Sequence, residues 1–99
     1  MKKILVLLII MTTSCTNSTK VVFLGDSITQ QGENSDSEGT YKGFITLLRE
    51  KVSREVELIN KGIGGNKISD LLLRYNNDVL KLKPNIVFIY IGINDVWHK

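Results

Sequence analysis

A serine standing where an apolar run breaks open is the first residue of this chain equipped for chemistry. Val21-Val22-Phe23-Leu24 gives way to Gly25-Asp26-Ser27. A serine so placed could be a nucleophile, a phosphate anchor or a cap on the turn that follows. Two later stretches repeat the pattern. Val56 to Ile59 leads into Asn60-Lys61-Gly62-Ile63-Gly64-Gly65-Asn66, and Ile86 to Ile91 leads into Gly92-Ile93-Asn94-Asp95. Each apolar run ends in glycine and a polar residue, which lets backbone N–H groups approach a shared point closely. Asn94 could then donate a side-chain hydrogen bond to negative charge developing near Ser27. Taken singly, these residues have plainer readings: Gly62 and Gly64 close a turn, Asn94 caps a helix, Asp26 orders its loop, and Tyr41 and Trp97 pack. The Ser27 stretch is not a G-x-S-x-G elbow, since residue 29 is Thr, nor a phosphate loop, since no Gly-Lys-Ser/Thr follows.

The elements that would carry these residues alternate in type. Val21 to Leu24 suits a strand buried on both faces. Gln30 to Thr40 is polar and reads as a loop. Within Tyr41 to Arg54, Phe44, Leu47, Leu48 and Val52 form one helical stripe. Val56 to Ile59 is a second strand. Ile68, Leu71, Leu72, Tyr75 and Val79 form a second stripe that ends near Leu82, where Pro84 cannot continue a helix. Asn85 to Ile91 holds a third, strongly apolar strand. The order β-α-β-α-β predicts a parallel sheet with right-handed crossovers. Strand order 2-1-3 puts one helix on each face, whereas 1-2-3 would leave one face bare against fully apolar strands. With 2-1-3, a crevice opens between the first and third strands at their C-terminal ends, where ligands bind in sheets of this kind.

Composition narrows the function classes. At 99 residues the chain holds one small domain. Thirteen basic against ten acidic residues give a net charge of +3. No basic cluster is interleaved with aromatics, so no nucleic-acid partner is expected. No His/Cys/Asp group has ligand spacing, so neither a metal nor an organic cofactor is expected. The single cysteine cannot form an intramolecular disulfide. At the N-terminus, Lys2 and Lys3 precede an apolar core from Ile4 to Met11 that is too short to span a bilayer. Thr12-Thr13-Ser14 and then Cys15 follow. The arrangement resembles a bacterial lipoprotein signal, with Thr12 where such signals usually carry Leu. It implies a signal peptide over 1–14, a lipidated Cys15, a tether over 15–20 and a domain over 21–99. The expected location is the bacterial cell envelope through a lipid anchor, or else the periplasm or medium.

The three motifs together, GDSIT after the first strand, GIGGN after the second and GIND after the third, resemble the GDSL/SGNH hydrolase family of serine esterases and lipases. The resemblance runs from about Val21 to His98. It implies a three-layer α/β/α, flavodoxin-like parallel sheet, of which this chain supplies the β-α-β-α-β portion. It also implies that Ser27 is the nucleophile, with an oxyanion hole made by the Ser27 N–H, the Gly65 N–H and the Asn94 side chain. Gly64 is the second choice for the glycine, and Gly25, Asp26, Gly92 and Asp95 support the site. The family's base comes from a later Asp-x-x-His, so the chain is expected to be a truncated member whose third strand keeps an open edge. Asp95-Val96-Trp97-His98 matches those letters, but Asp95 already belongs to the third motif, which leaves His98 a lesser candidate. The implied reaction is hydrolysis of a carboxylic ester, on an acetylated carbohydrate, a lipid or another small molecule. The competing expectation is a non-catalytic or vestigial lipoprotein that binds a ligand and keeps only the fold. Nothing in the residues assigns an oligomeric state.

Overall fold

The computed structural model describes residues 18–98. The expected signal peptide, Cys15 and the start of the tether lie outside the described residues. Strands β1 (Thr19–Gly25), β2 (Val56–Gly62) and β3 (Ile86–Tyr90) alternate with helices α1 (Ser27–Gln30), α2 (Phe44–Lys51), α3 (Ile68–Asp78) and α4 (Ile93–Trp97). Short 3-10 turns extend α1 over Gln31–Glu33 and follow α3 over Leu80–Leu82. The sheet is parallel throughout, in the order β2-β1-β3, as the apolar character of the strands requires.

Two half-cores lie on opposite faces of β1, because successive side chains of a strand point to opposite sides. Val22 and Leu24 pack with Leu71 and Val79 beneath α3, flanked by Ile59, Tyr75, Leu82 and Val87. Phe23 packs with Ile45 and Leu58 beneath α2, flanked by Val21, Phe44, Val52 and Val56. Phe23, Phe44 and Phe88 form an aromatic cluster on that side, with ring centroids 5.6–6.5 Å apart. The architecture is three layers, α/β/α.

The periodicity of the sequence places the elements but misjudges their edges and phase. The first strand begins at Thr19, not Val21, because the Thr19 N–H bonds to the Glu55 carbonyl (2.8 Å) and the Lys20 N–H to Asn85 Oδ1 (2.7 Å). Thr19 and Lys20 therefore belong to the sheet and not to a tether. The second strand runs on to Gly62, in register with Gly25. The first long helix spans only Phe44–Lys51, and its fully buried residue is Ile45, whereas Leu47 and Leu48 remain exposed. Eight residues give barely two turns, so only the turn over Phe23 and Leu58 meets the sheet. In α3, Leu71 and Val79 are buried as expected, but Leu72 is 76% exposed. The polar stretch after Ser27 is more ordered than a loop: it continues as a helical turn and then closes an antiparallel bridge between Ser35 and Lys42. Tyr41 and Trp97 are exposed, not packed, since no described segment lies over the Ser35–Lys42 bridge or the end of α4.

The third strand is the open edge that the sequence leads one to expect. Among the described residues no strand pairs with its outer side, and Ile86, Phe88, Ile89 and Tyr90 are each about half exposed. On the α3 side, Leu24, Ile68, Leu71, Tyr75, Ile89 and Ile91 line an open apolar hollow of about 420 Å³. Packing is therefore densest around β1. Replacing Ile45 by Ala should lower the unfolding free energy by roughly 2–5 kcal/mol, the usual cost of emptying a buried aliphatic site. Leu73→Ala, at an 86% exposed position, should change it by no more than about 0.5 kcal/mol. Urea unfolding of both variants checks this; equal effects would contradict the packing described.

Candidate active site

Register decides where the polar loops meet. Gly25 lies opposite Gly62 on one side and opposite Tyr90 on the other, so the three strands end at one level and their loops converge beyond it. The first loop depends on Gly25: a Cβ there would run into the Tyr90 carbonyl and Thr29 Oγ1. Asp26 follows, fully buried, and its Oδ1 accepts from the Ile28 N–H at 3.0 Å. Asp26 is thus the N-cap of α1, and the capping role that might have fallen to Ser27 is taken. Ser27 becomes the first helical residue, half-buried at the mouth of the three loops.

The second loop folds back over the first. The Ile63 N–H donates to the Gly25 carbonyl at 3.1 Å. Asn60 Nδ2 donates to the carbonyls of Thr29 (3.0 Å) and Gln30 (3.2 Å), while its Oδ1 accepts from the Gly62 N–H at 2.8 Å. The Gly64 N–H is occupied by Gln30 Oε1 at 2.7 Å, which removes it as a free donor. The Gly65 N–H has no acceptor among the described residues. Gly65 adopts φ +84 with open space around its Cα, a left-handed conformation that costs other residues strain. Gly64 lies close to the serine: a Cβ on it would sit 3.7 Å from the Ser27 Cβ.

The third loop turns at Gly92, with φ +133, into α4. Asn94 is the buried residue of that short helix and not its cap. Its Nδ2 donates to the Asn66 carbonyl at 3.0 Å, and the second amide hydrogen has no acceptor among the described residues. Asp95 serves the neighbouring helix: its carboxylate accepts from the Ile68 N–H at 3.2–3.4 Å. Asp70 Oδ2 accepts from the Lys67 N–H at 2.8 Å, so two acids cover the positive end of α3.

His98 ends up outside this arrangement. It is exposed, follows α4, and uses its backbone N–H on the Asn94 carbonyl at 2.9 Å. With the Asp95 carboxylate on Ile68, the letters D-x-x-H do not form an Asp–His pair. Two contributors escape the motif reading. Gln30 holds Gly64, and Arg74 reaches from α3 to Gly25, Lys61 and Asn66. A sequence signal for the second exists: Arg74 and Asp78, four apart, fall on the same helical face as Leu71 and Tyr75, where a charged pair must find buried partners.

Comparison with known proteins bears on the family and the fold. The model of the GDSL-like Lipase/Acylhydrolase family matches residues 23–99. An acetylxylan esterase of Geobacillus stearothermophilus is 40% identical over 90 residues, covering 81% of this chain and 41% of the relative. An uncharacterized lipoprotein of Bacillus subtilis (strain 168), YqeF, is 36% identical over 96 residues, covering 93% of this chain and 39% of its own length. Among solved structures, the acetyl xylan esterase AlAXEase superposes with a TM-score of 0.70 at 50% identity, over 81% of this chain and 40% of that one. The Geobacillus enzyme Axe2 gives 0.62 at 39% identity, over 82% of this chain and 42% of its own. The chain thus spans about 40% of the length of the relatives it matches.

The two neighbouring glycines should respond differently to a methyl group. Gly65→Ala forces a side chain into the left-handed region and should cost roughly 1–2 kcal/mol. Gly64→Ala meets only the flexible end of Gln30, at 3.1 Å, and Ser27 Cβ, and should cost less than half as much. Denaturant midpoints of the two variants measure the difference, and the reverse order would contradict this loop geometry.

Proposed function

From the premise that the chain belongs to the GDSL-like lipase/acylhydrolase family, we propose that its site performs acyl transfer from an ester, with Ser27 as nucleophile. The Ser27 Oγ adds to the ester carbonyl carbon, its proton leaves to a base, and the carbonyl oxygen becomes an oxyanion. The oxyanion is met by the N–H of Ser27, the N–H of Gly65 and the second amide hydrogen of Asn94. Collapse expels the alcohol and leaves acyl-Ser27, which water then hydrolyses to the carboxylate. The observation that carries this reading is the pair of donors left open in the second and third loops, which leave the sheet at the same level as the loop of Ser27. Gly64 is occupied by Gln30 and one Asn94 hydrogen by Asn66, while Gly65 and the other Asn94 hydrogen have no acceptor among the described residues. Gly65 therefore fits the oxyanion role better than Gly64.

The base is supplied by no Asp–His pair among the described residues. Two solved structures of the Geobacillus enzyme are of catalytic mutants, at an aspartate and at a histidine three positions apart, which supports an Asp-x-x-His of the same kind as the base of the whole enzyme. The substrate we propose is an acetyl ester on a carbohydrate, since the acetylxylan esterases match this chain at 40% and 50% identity. Export with a lipid on Cys15 is the companion proposal, supported by Lys2, Lys3, the apolar run to Met11 and the lipoprotein relative.

Hydrolysis of p-nitrophenyl acetate tests the reading. The 99-residue chain should exceed its Ser27→Ala variant, and His98→Ala should match the parent. With nucleophile and oxyanion donors but no paired base, the excess over the uncatalysed rate should stay within about 10³–10⁴. Parent and Ser27→Ala rates that coincide would sink the enzymatic reading for this chain and favour a binding role.

A further inference from the structure

Arg74 takes no part in the chemistry above, yet its guanidinium touches every loop that does, directly or through one residue. Nη2 donates to the Gly25 carbonyl at 3.0 Å, just ahead of Asp26 and Ser27. Nη1 donates to the Lys61 carbonyl at 2.8 Å, at the end of β2. Nε donates to Asn66 Oδ1 at 2.8 Å, and the Asn66 carbonyl in turn holds the Asn94 amide. The fourth bond goes from Nη1 to Asp78 Oδ2 at 2.7 Å, one helical turn along α3. The side chains of Arg74 and Asp78 are only 15% and 23% exposed.

An ion pair this sheltered is poorly explained by stability alone. Removing both charges from water costs several kcal/mol, and well-packed apolar residues in such places are often as stable or more so. What an apolar residue cannot do is fix three acceptors on two strands and a loop relative to one another. A guanidinium can, because its N–H groups form a rigid planar fork. Asp78 keeps the fork oriented along α3, whose N-terminus is tied by Asp95 to the third loop.

We propose that Arg74 is a positioning residue that sets the spacing between Ser27, the Gly65 N–H and the Asn94 amide. It does so by clamping the Gly25 and Lys61 carbonyls and the Asn66 side chain. The proposal rests on the reading of those three groups as nucleophile and oxyanion donors, but the clamp itself can be tested without turnover.

The experiment compares the isotope-labelled 99-residue chain with Arg74→Lys, which keeps the charge beside Asp78 and loses the fork. Three readouts are taken: amide resonances, exchange of the Ile63 N–H that shares the Gly25 carbonyl, and p-nitrophenyl acetate hydrolysis. In Arg74→Lys the Gly65 N–H and Asn94 side-chain resonances should shift or broaden, while Ile45 and Leu58 stay in place. Ile63 exchange should quicken, and kcat should fall roughly 10- to 100-fold, the usual consequence of small misplacements in a reacting site, with KM little changed. Asn66→Ala removes a single acceptor and leaves the buried pair intact; it should move the same two resonances, and it carries the test should Arg74→Lys not fold. Unmoved Gly65 and Asn94 resonances in a folded variant would overturn the proposal. So would a kcat loss no greater than the loss of folded protein. If the parent shows no hydrolysis above Ser27→Ala, the esterase reading fails and the resonances alone judge the clamp.

Discussion

Because β1 pairs in parallel with β2 on one side and β3 on the other, backbone hydrogen bonds hold the C-terminal ends of all three strands at one level. Each loop then leaves the sheet within reach of the others. A slip of one residue in either ladder would turn every core side chain to the wrong face, so the register that builds the two half-cores also gathers the site. Gly25 is where these demands coincide. It is in register with Gly62 and Tyr90, lies against the Tyr90 carbonyl and Thr29, and its own carbonyl accepts from both Ile63 and Arg74.

The packing around this ladder is uneven. Val22, Phe23 and Leu24 of β1 are buried, covered from both sides, while β3 presents half-exposed aliphatic and aromatic residues on both of its faces. Apolar surface left in water forgoes roughly 25 cal/mol per Å², and an unpaired strand edge offers its backbone groups to any other strand. The stability of the described unit thus resides in β1 and the two helices pressed on it. The site sits at the end of the best-packed strand and borrows its rigidity.

Polar groups at the strand ends are held by one another more than by solvent. Asp26, Thr29 and Asn94 are buried, and the loops are tied by Asn60, Gln30, Asn66, Asp95 and Arg74. Each of these bonds removes a donor or acceptor from play. Among the donors of the second and third loops, the Gly65 N–H and one Asn94 hydrogen are left open, and the buried Asp26 Oδ2 and Thr29 Oγ1 also lack a partner among the described residues. An oxyanion site gains from such prior commitment, since donors already fixed need no reorganisation when charge develops.

Much of this was legible in the residues. Largely apolar strands alternating with helical stripes favoured a parallel 2-1-3 sheet with a helix on each face, since the order 1-2-3 leaves one face bare. Glycine and polar residues at all three strand ends marked the loops that carry Ser27 and Asn94, and the family resemblance of the motifs pointed to Gly65. Periodicity could not tell which turn of a helix meets the sheet, so Ile45 rather than Leu47 or Leu48 became the buried residue of α2. Nor could it assign bonds between residues distant in the chain. That Asp26 rather than Ser27 caps α1, that Gln30 occupies the Gly64 N–H while the Gly65 N–H has no acceptor among the described residues, and that Asp95 belongs to α3 and not to His98 were decided by tertiary structure. Arg74 meets Gly25 across 49 positions of sequence. Patterning sets which residues lie on which face, but a hydrogen bond needs distance and angle together, and only the assembled ladder provides both.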